Sequence, residues 1–487
     1  MNATLAVNEE QQPGWAGSQL RSTLLVLLIP TLLAALIIGF GLQLPKWALY
    51  GAGGAIALVV GIRAFWDPEW LLALFLFYLP VSRVFPAAIA PLVNGTSLLF
   101  AGLFVAWFCV AHRRKREITP TRGIVRLVGL FLCLTALTII PTVASIGWEQ
   151  TRDYSFEKYE NWLEQLATFF IVVGMIRDGR MARRVAVYLM IATVAALLFG
   201  VQEMLSKSAA SSIEKSRVFG PQYQPNEFGA FIVSNLMIVI ALAACWFPRA
   251  RALWFVPTLL LGAKILAATF SRGAVLGLVA GGALIAFMRG RGFFLALAAA
   301  AVLIFAVFPT MLPQSVLDRF AETNVQDSEG ERLDKSSADR LILWQAALQM
   351  TTESPLLGKG FGMFPQLKDR YTSTPVPVSD PHNMYLFICA QMGVPALLLY
   401  LAILLRMFGG GLKVYRRLAD PLGRSIGIGC AGMVFSWLIM NLFGSRMTAV
   451  ETSGFFWVYL AVLACLEGEV AATAMRSVPV RVSAVRA

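Results

Sequence analysis

"SDPHNMYLFICAQMGVPALLLYLAILL", residues 379–405, carries a polar segment into an apolar run. No residue between Met384 and Leu405 is charged, and at about 1.5 Å per helical residue such a run can cross ~30 Å of hydrocarbon. Runs of this kind recur from residue 22 to residue 469. The first, "STLLVLLIPTLLAALIIGFGL" (22–42), lacks a cleavage site and leads into another apolar run, so it reads as a retained span. A chain that is 57% hydrophobic and 14% charged is not an ordinary soluble domain. The expected fold class is an all-α membrane protein, a polytopic helical bundle of about 12–14 transmembrane helices.

The net charge of +13 raises the question of nucleic acid. Its distribution answers it: basic clusters such as "RRKR" (113–116), Arg177 to Arg184, Arg249 with Arg251, and Arg406 to Arg424 fall on alternate loops. That is a positive-inside pattern with both termini cytoplasmic, and the basic excess reflects topology and contact with anionic lipid. Cys109, Cys133, Cys245, Cys389, Cys430 and Cys465 all lie in apolar runs, without the spacing of a metal site or disulfide framework, and read as packing residues.

This topology gives the outer side "GWEQTRDYSFEKYENW" (147–162), "SKSAASSIEKSRVFGPQYQPNE" (206–227), the reversal at "SRG" (271–273), a long periplasmic loop over 310–382, and "GSRMTAVETSG" (444–454). Only that side has room for a site. Within the long loop, "SSADRLILWQAALQMTTESP" (336–355) places Leu341, Trp344 and Leu348 at helical spacing. It is expected to form an amphipathic helix on the membrane surface or a lid over the bundle. "GKGFG" (358–362) lacks the rest of a phosphate loop and reads as a flexible turn.

Three residues on the outer side could do chemistry: Arg217 in "SRVFGPQYQPNEFG", Arg272 in "TFSRGAVLG", and His382. A boundary arginine is often only a snorkelling side chain. Arg272, however, sits in a turn between apolar runs with no acid nearby, which points to an anion as its counter-charge. Asp380-Pro381 fits an N-cap and first helical position, which would put His382 in the first turn of a helix whose dipole keeps the ring neutral, with the charge of Asp380 opposing. Asp380, Asn383 and Arg340 are candidate supporting residues. Glu227, and Lys264 within a span, are weaker candidates. No paired carboxylates or histidine cluster with metal spacing stand on this side.

These same stretches carry a likeness. "RVFGPQYQPNEFG", "TFSRGAVLGLVAG", "DRLILWQAALQMTTESPLLGKGFGMF" and "DPHNMYLFICAQMGVPA", in this order over residues 215 to 405, resemble the O-antigen ligase and polymerase superfamily of bacterial membrane glycosyltransferases. The family's histidine motif is met by His382, Asn383 and Gly393, with Ala396 where a further glycine is usual. The resemblance implies that Arg217 and Arg272 bind the diphosphate of an undecaprenyl (polyprenyl) diphosphate-linked glycan and that His382 is catalytic. The partners implied are that donor, a glycan or lipid A-core acceptor, and membrane lipids. No cofactor and no metal are expected, because arginines supply the positive charge. The chain divides as 1–205, N-terminal transmembrane helices; 206–405, the catalytic region; and 406–487, C-terminal helices with a basic cytoplasmic tail. The location implied is the bacterial inner membrane, with the site facing the periplasm. The alternative is a transporter or flippase for lipid-linked glycans, which would set its key residues near the midplane. Lys264 is the residue that favours it.

Overall fold

The structure is a computed structural model and describes residues 58–64, 66–83, 95–109, 116–207, 213–307, 324–327, 330–333, 335–372 and 374–476. Its helices are α1 (Glu69–Tyr78), α2 (Gly95–Cys109), α3 (Arg122–Leu137), α4 (Ile139–Tyr154), α5 (Phe156–Met175), α6 (Gly179–Ser206), α7 (Pro225–Trp246), α8 (Val256–Ala268), α9 (Arg272–Arg289), α10 (Arg291–Val307), α11 (Lys335–Glu353), α12 (Met384–Met392), α13 (Val394–Arg417), α14 (Pro421–Met440) and α15 (Val450–Arg476). A short antiparallel hairpin pairs Asn324–Asp327 with Gly330–Leu333. The protein is a polytopic, all-helical membrane protein. Eight helical stretches among the described residues are long and apolar enough to span a bilayer, and α1 and α2 are shorter apolar helices. The first two expected runs fall largely within residues 1–57, outside the described residues.

α7, α14 and α15 are the most deeply buried of the spans and form the centre. Backbones come close where side chains are absent: a Cβ on Gly411 (α13) or Gly427 (α14) would fall within 2.7 Å of the other's carbonyl oxygen. Gly281 and Gly432 let α9 approach α14 in the same way. Small residues are what allow helices to associate where lipid gives no hydrophobic drive. At the end away from His382, ion pairs tie the helices together. Arg183 of α6 bonds both Asp420 (2.5 Å) and Glu469 (2.7 Å), Arg184 bonds Glu69 (2.6 Å), and Arg406 bonds Glu467 (2.9 Å).

Three local expectations change. The run 384–405 is not one helix but α12 followed by α13, broken at Gly393, whose φ of 85° only glycine adopts readily. A side chain there would also strike the carbonyl of Pro355, within 2.8 Å. Residues 147–162, expected as a loop, are helical on both sides of a kink at Gly147 (φ 77°). "GKGFG" is no flexible turn. Lys359 N–H donates to Ala390 O (2.8 Å) and Gly362 N–H to the Gln391 side chain (2.7 Å), while a Cβ on Gly360 would lie 2.6 Å from Thr142 N. The segment clasps α4 to α12.

Candidate active site

His382 stands where α11, α12 and the end of α14 meet. The helix after it begins three residues later than the sequence implies: Asn383, not Asp380, is the N-cap, and its side chain accepts from the N–H groups of Tyr385 (3.0 Å) and Leu386 (3.2 Å). Asp380 is drawn instead into a tight turn, accepting the His382 backbone N–H at 2.6 Å and the Ser445 hydroxyl at 2.8 Å. That turn holds His382 in the left-handed region, φ 50°, a conformation that costs a side-chain-bearing residue about 1–2 kcal/mol. Trp344 of α11 donates its indole N–H to Pro381 O (2.8 Å), and Met384 N–H donates to Asn441 O (2.8 Å).

The imidazole is 32% exposed, with Nδ1 3.5 Å from Asp380 Oδ1. Burial pushes its pKa below the ordinary histidine value; the Asp380 charge opposes, and the charges of Arg340 and Arg446 reinforce the fall. The neutrality expected of His382 therefore has a different cause: desolvation and two guanidiniums, not a place in the first helical turn. With Nδ1 turned to a carboxylate, Nε2 is the nitrogen free to accept a proton.

A second cluster adjoins this one. Arg446, only 5% exposed, bonds Glu227 at 2.9 Å and donates to Phe443 O (3.3 Å). Arg217 donates to Thr269 O and to the side chain of Asn226, both at 3.1 Å, and Asn226 immediately precedes Glu227. Lys207 and Glu203 fix the approach, Lys207 by donating to Arg217 O (2.8 Å) and Glu203 by accepting from Gly220 N–H (2.7 Å). Arg83 bonds Glu451 (2.7 Å) and donates to Gln222 O (3.0 Å). Arg272 opens α9 directly after its N-cap Ser271, and a Cβ on the next residue, Gly273, would lie 3.3 Å from Phe443. The charges of Asp380 and Arg83 both reach Glu227. Asp380, His382, Asn383 and Arg340 are thus gathered at one rim of the bundle, and a path of contacts runs from Arg217 through Asn226, Glu227 and Arg446 to it.

Sequence reasoning underrated Glu227 and missed Arg446. The available signal was Arg446's position, an arginine between apolar runs in "GSRMTAVETSG". On α11 the expected apolar face is also turned: Leu343, Ala347 and Met350 are buried against Phe364 and Val376, whereas Leu341 and Leu348 are exposed. Lys264 is exposed on α8 and does not face the interior of the bundle.

Spans converging on one charged rim define a polytopic membrane protein with a candidate site at the end of its bundle. Residues 257–401 match the family model described as O-antigen ligase, so this stretch is similar to the O-antigen ligase-related superfamily. The matched stretch contains Arg272, Arg340 and His382. No curated protein matches the chain.

Proposed function

We propose that the protein is a glycosyltransferase of the bacterial inner membrane, with both termini cytoplasmic and the His382 rim facing the periplasm. It takes a glycan from a polyprenyl diphosphate and transfers it to a hydroxyl of a second glycan, as an O-antigen ligase or polysaccharide polymerase does. The observation that carries this reading is the setting of His382: Asp380 beside Nδ1, burial and two arginine charges that disfavour the imidazolium, and a third of the ring open.

The acceptor oxygen attacks the anomeric carbon as the bond from that carbon to the diphosphate oxygen breaks. Nε2 of His382 takes the acceptor's proton, and Asp380 orients the ring and stabilises the imidazolium that forms. The electron pair leaves on the diphosphate, where Arg217 and Arg272 offset the developing charge, since planar guanidiniums match phosphate oxygens in pairs. The region 206–405 supplies these groups, and α11 with Trp344 covers the approach from the lipid.

The test incubates purified full-length protein with a lipid-linked oligosaccharide and candidate acceptors, with and without chelator. His382→Ala and Arg272→Ala are expected to cut transfer at least about 100-fold and chelator to leave it unchanged. Full transfer by both variants would overturn the mechanism, and loss with chelator its metal-free character.

A further inference from the structure

The end of the bundle opposite His382 holds a cavity of about 270 Å³ between the C-terminus of α7, the C-terminus of α9 and the start of α14. Its lining includes Arg249, Arg289 and Arg424 but no carboxylate. The nearest acid by chain position is Asp420, and both its oxygens are engaged by Arg183 (2.5 and 3.0 Å). From this geometry we propose a second anion site, unrelated to the transfer reaction, that takes the phosphate group of an anionic phospholipid or a soluble phosphate.

Several observations separate this cavity from ordinary snorkelling. A snorkelling arginine carries its polar atoms out to water. Here Arg424 Nε is buried with no hydrogen-bond partner among the described residues, and the indole N–H of Trp246, in the same lining, is buried and unpartnered too. The Arg424 guanidinium is steadied by the ring of Tyr415, 5.0 Å away. Arg289 donates to Ala244 O (3.0 Å) and Phe247 O (3.1 Å). It thereby satisfies the last carbonyls of α7, whose partial negative charge would otherwise repel an anion. Three like charges around one space repel each other, and with no acid in the wall the neutralising group comes from outside.

The space, far above the ~10–15 Å³ that one water needs, accommodates a phosphodiester and the atoms beside it. Exposed Phe247 lines the cavity, and Leu253 and Trp254 stand exposed a few residues along the chain. Aromatic residues so placed sit at the headgroup level of a bilayer, and basic pockets between spans are where anionic headgroups bind.

The experiment titrates the full-length protein, in zwitterionic detergent, with phosphatidylglycerol, phosphatidylcholine or inorganic phosphate, reading bound ligand by native mass spectrometry. Phosphatidylglycerol is expected to bind at least ten-fold more tightly than phosphatidylcholine, and Arg249→Gln/Arg424→Gln to lose that preference. Arg249→Gln alone, a change at an exposed side chain that leaves the helix packing intact, is expected to weaken binding several-fold if the double variant misfolds. Inorganic phosphate that binds and is lost in the same variants supports the site with a soluble source. Undiminished binding of phosphatidylglycerol by a folded variant overturns it, as does equal binding of the two lipids with none of phosphate.

Discussion

Arg446 gives the sharpest test of how the rim is held together. Its guanidinium is 5% exposed and the Glu227 side chain 12%, at 2.9 Å from each other, so Arg446→Met strands a carboxylate where water scarcely reaches. Removing one partner of a buried pair costs about 3–5 kcal/mol, whereas replacing both is often nearly neutral. The single variant should therefore lose that much unfolding free energy, roughly 10² to 10⁴-fold in the folded-to-unfolded ratio. Arg446→Met/Glu227→Gln should return to within about 1 kcal/mol of wild type. Equilibrium unfolding in mixed micelles measures both. Activity separates a second role: the Arg446 charge lowers the His382 pKa, so the acid limb of the transfer rate should move to higher pH in the single and the double variant alike. A single variant that loses under about 1 kcal/mol, or a double variant no more stable than the single, would refute the reasoning.

His382→Ala should cut the transfer rate by about 10² to 10⁴-fold if the ring is the general base, as single-turnover assays would register. In wild type the acid limb should lie below the ordinary histidine pKa, because burial and arginine charge depress it. Arg340→Gln removes a charge that disfavours the imidazolium and should move the limb up, while Asp380→Asn removes one that favours it and should move it down; a pH profile of each variant checks the signs. Trp344→Phe deletes the bond to Pro381 O and should cost about 1 kcal/mol, raising KM more than it lowers kcat. Gly360→Ala would drive a methyl into the backbone at Thr142 and should cost at least about 1–3 kcal/mol, visible as a lowered Tm.

The spans were legible because they rest on local composition: an apolar run must bury itself in lipid whatever its neighbours do. The start of α12 was not, since Asp380 and Asn383 can both cap a helix, and the choice depends on Ser445, whose hydroxyl claims Asp380 from another part of the chain. Arg446 and Glu227 lie 219 residues apart, and no periodicity links them. The glycines of "GKGFG" misled for a related reason. Glycine serves flexible turns and crowded ones alike, and only the approach of Thr142 and Gln391 decides which.

Among the described residues, the non-glycine positions with positive φ are Tyr223 (55°), Phe270 (52°) and His382 (50°). Each directly precedes an N-cap: Gln224 for α7, Ser271 for α9 and Asn383 for α12. A left-handed residue there reverses the chain within one step, so that a helix can begin at the rim without a longer loop covering its N-terminus. At about 1–2 kcal/mol each, three such residues beside the candidate side chains are a cost that packing alone does not require, because a longer loop would relieve it. The arrangement has a use that fits the proposed donor. Three helix N-termini, each carrying a partial positive charge, stand next to the candidate side chains, those of α7 and α12 capped by Gln224 and Asn383, and a site that must stabilise charge as it develops gains most from dipoles already fixed in place.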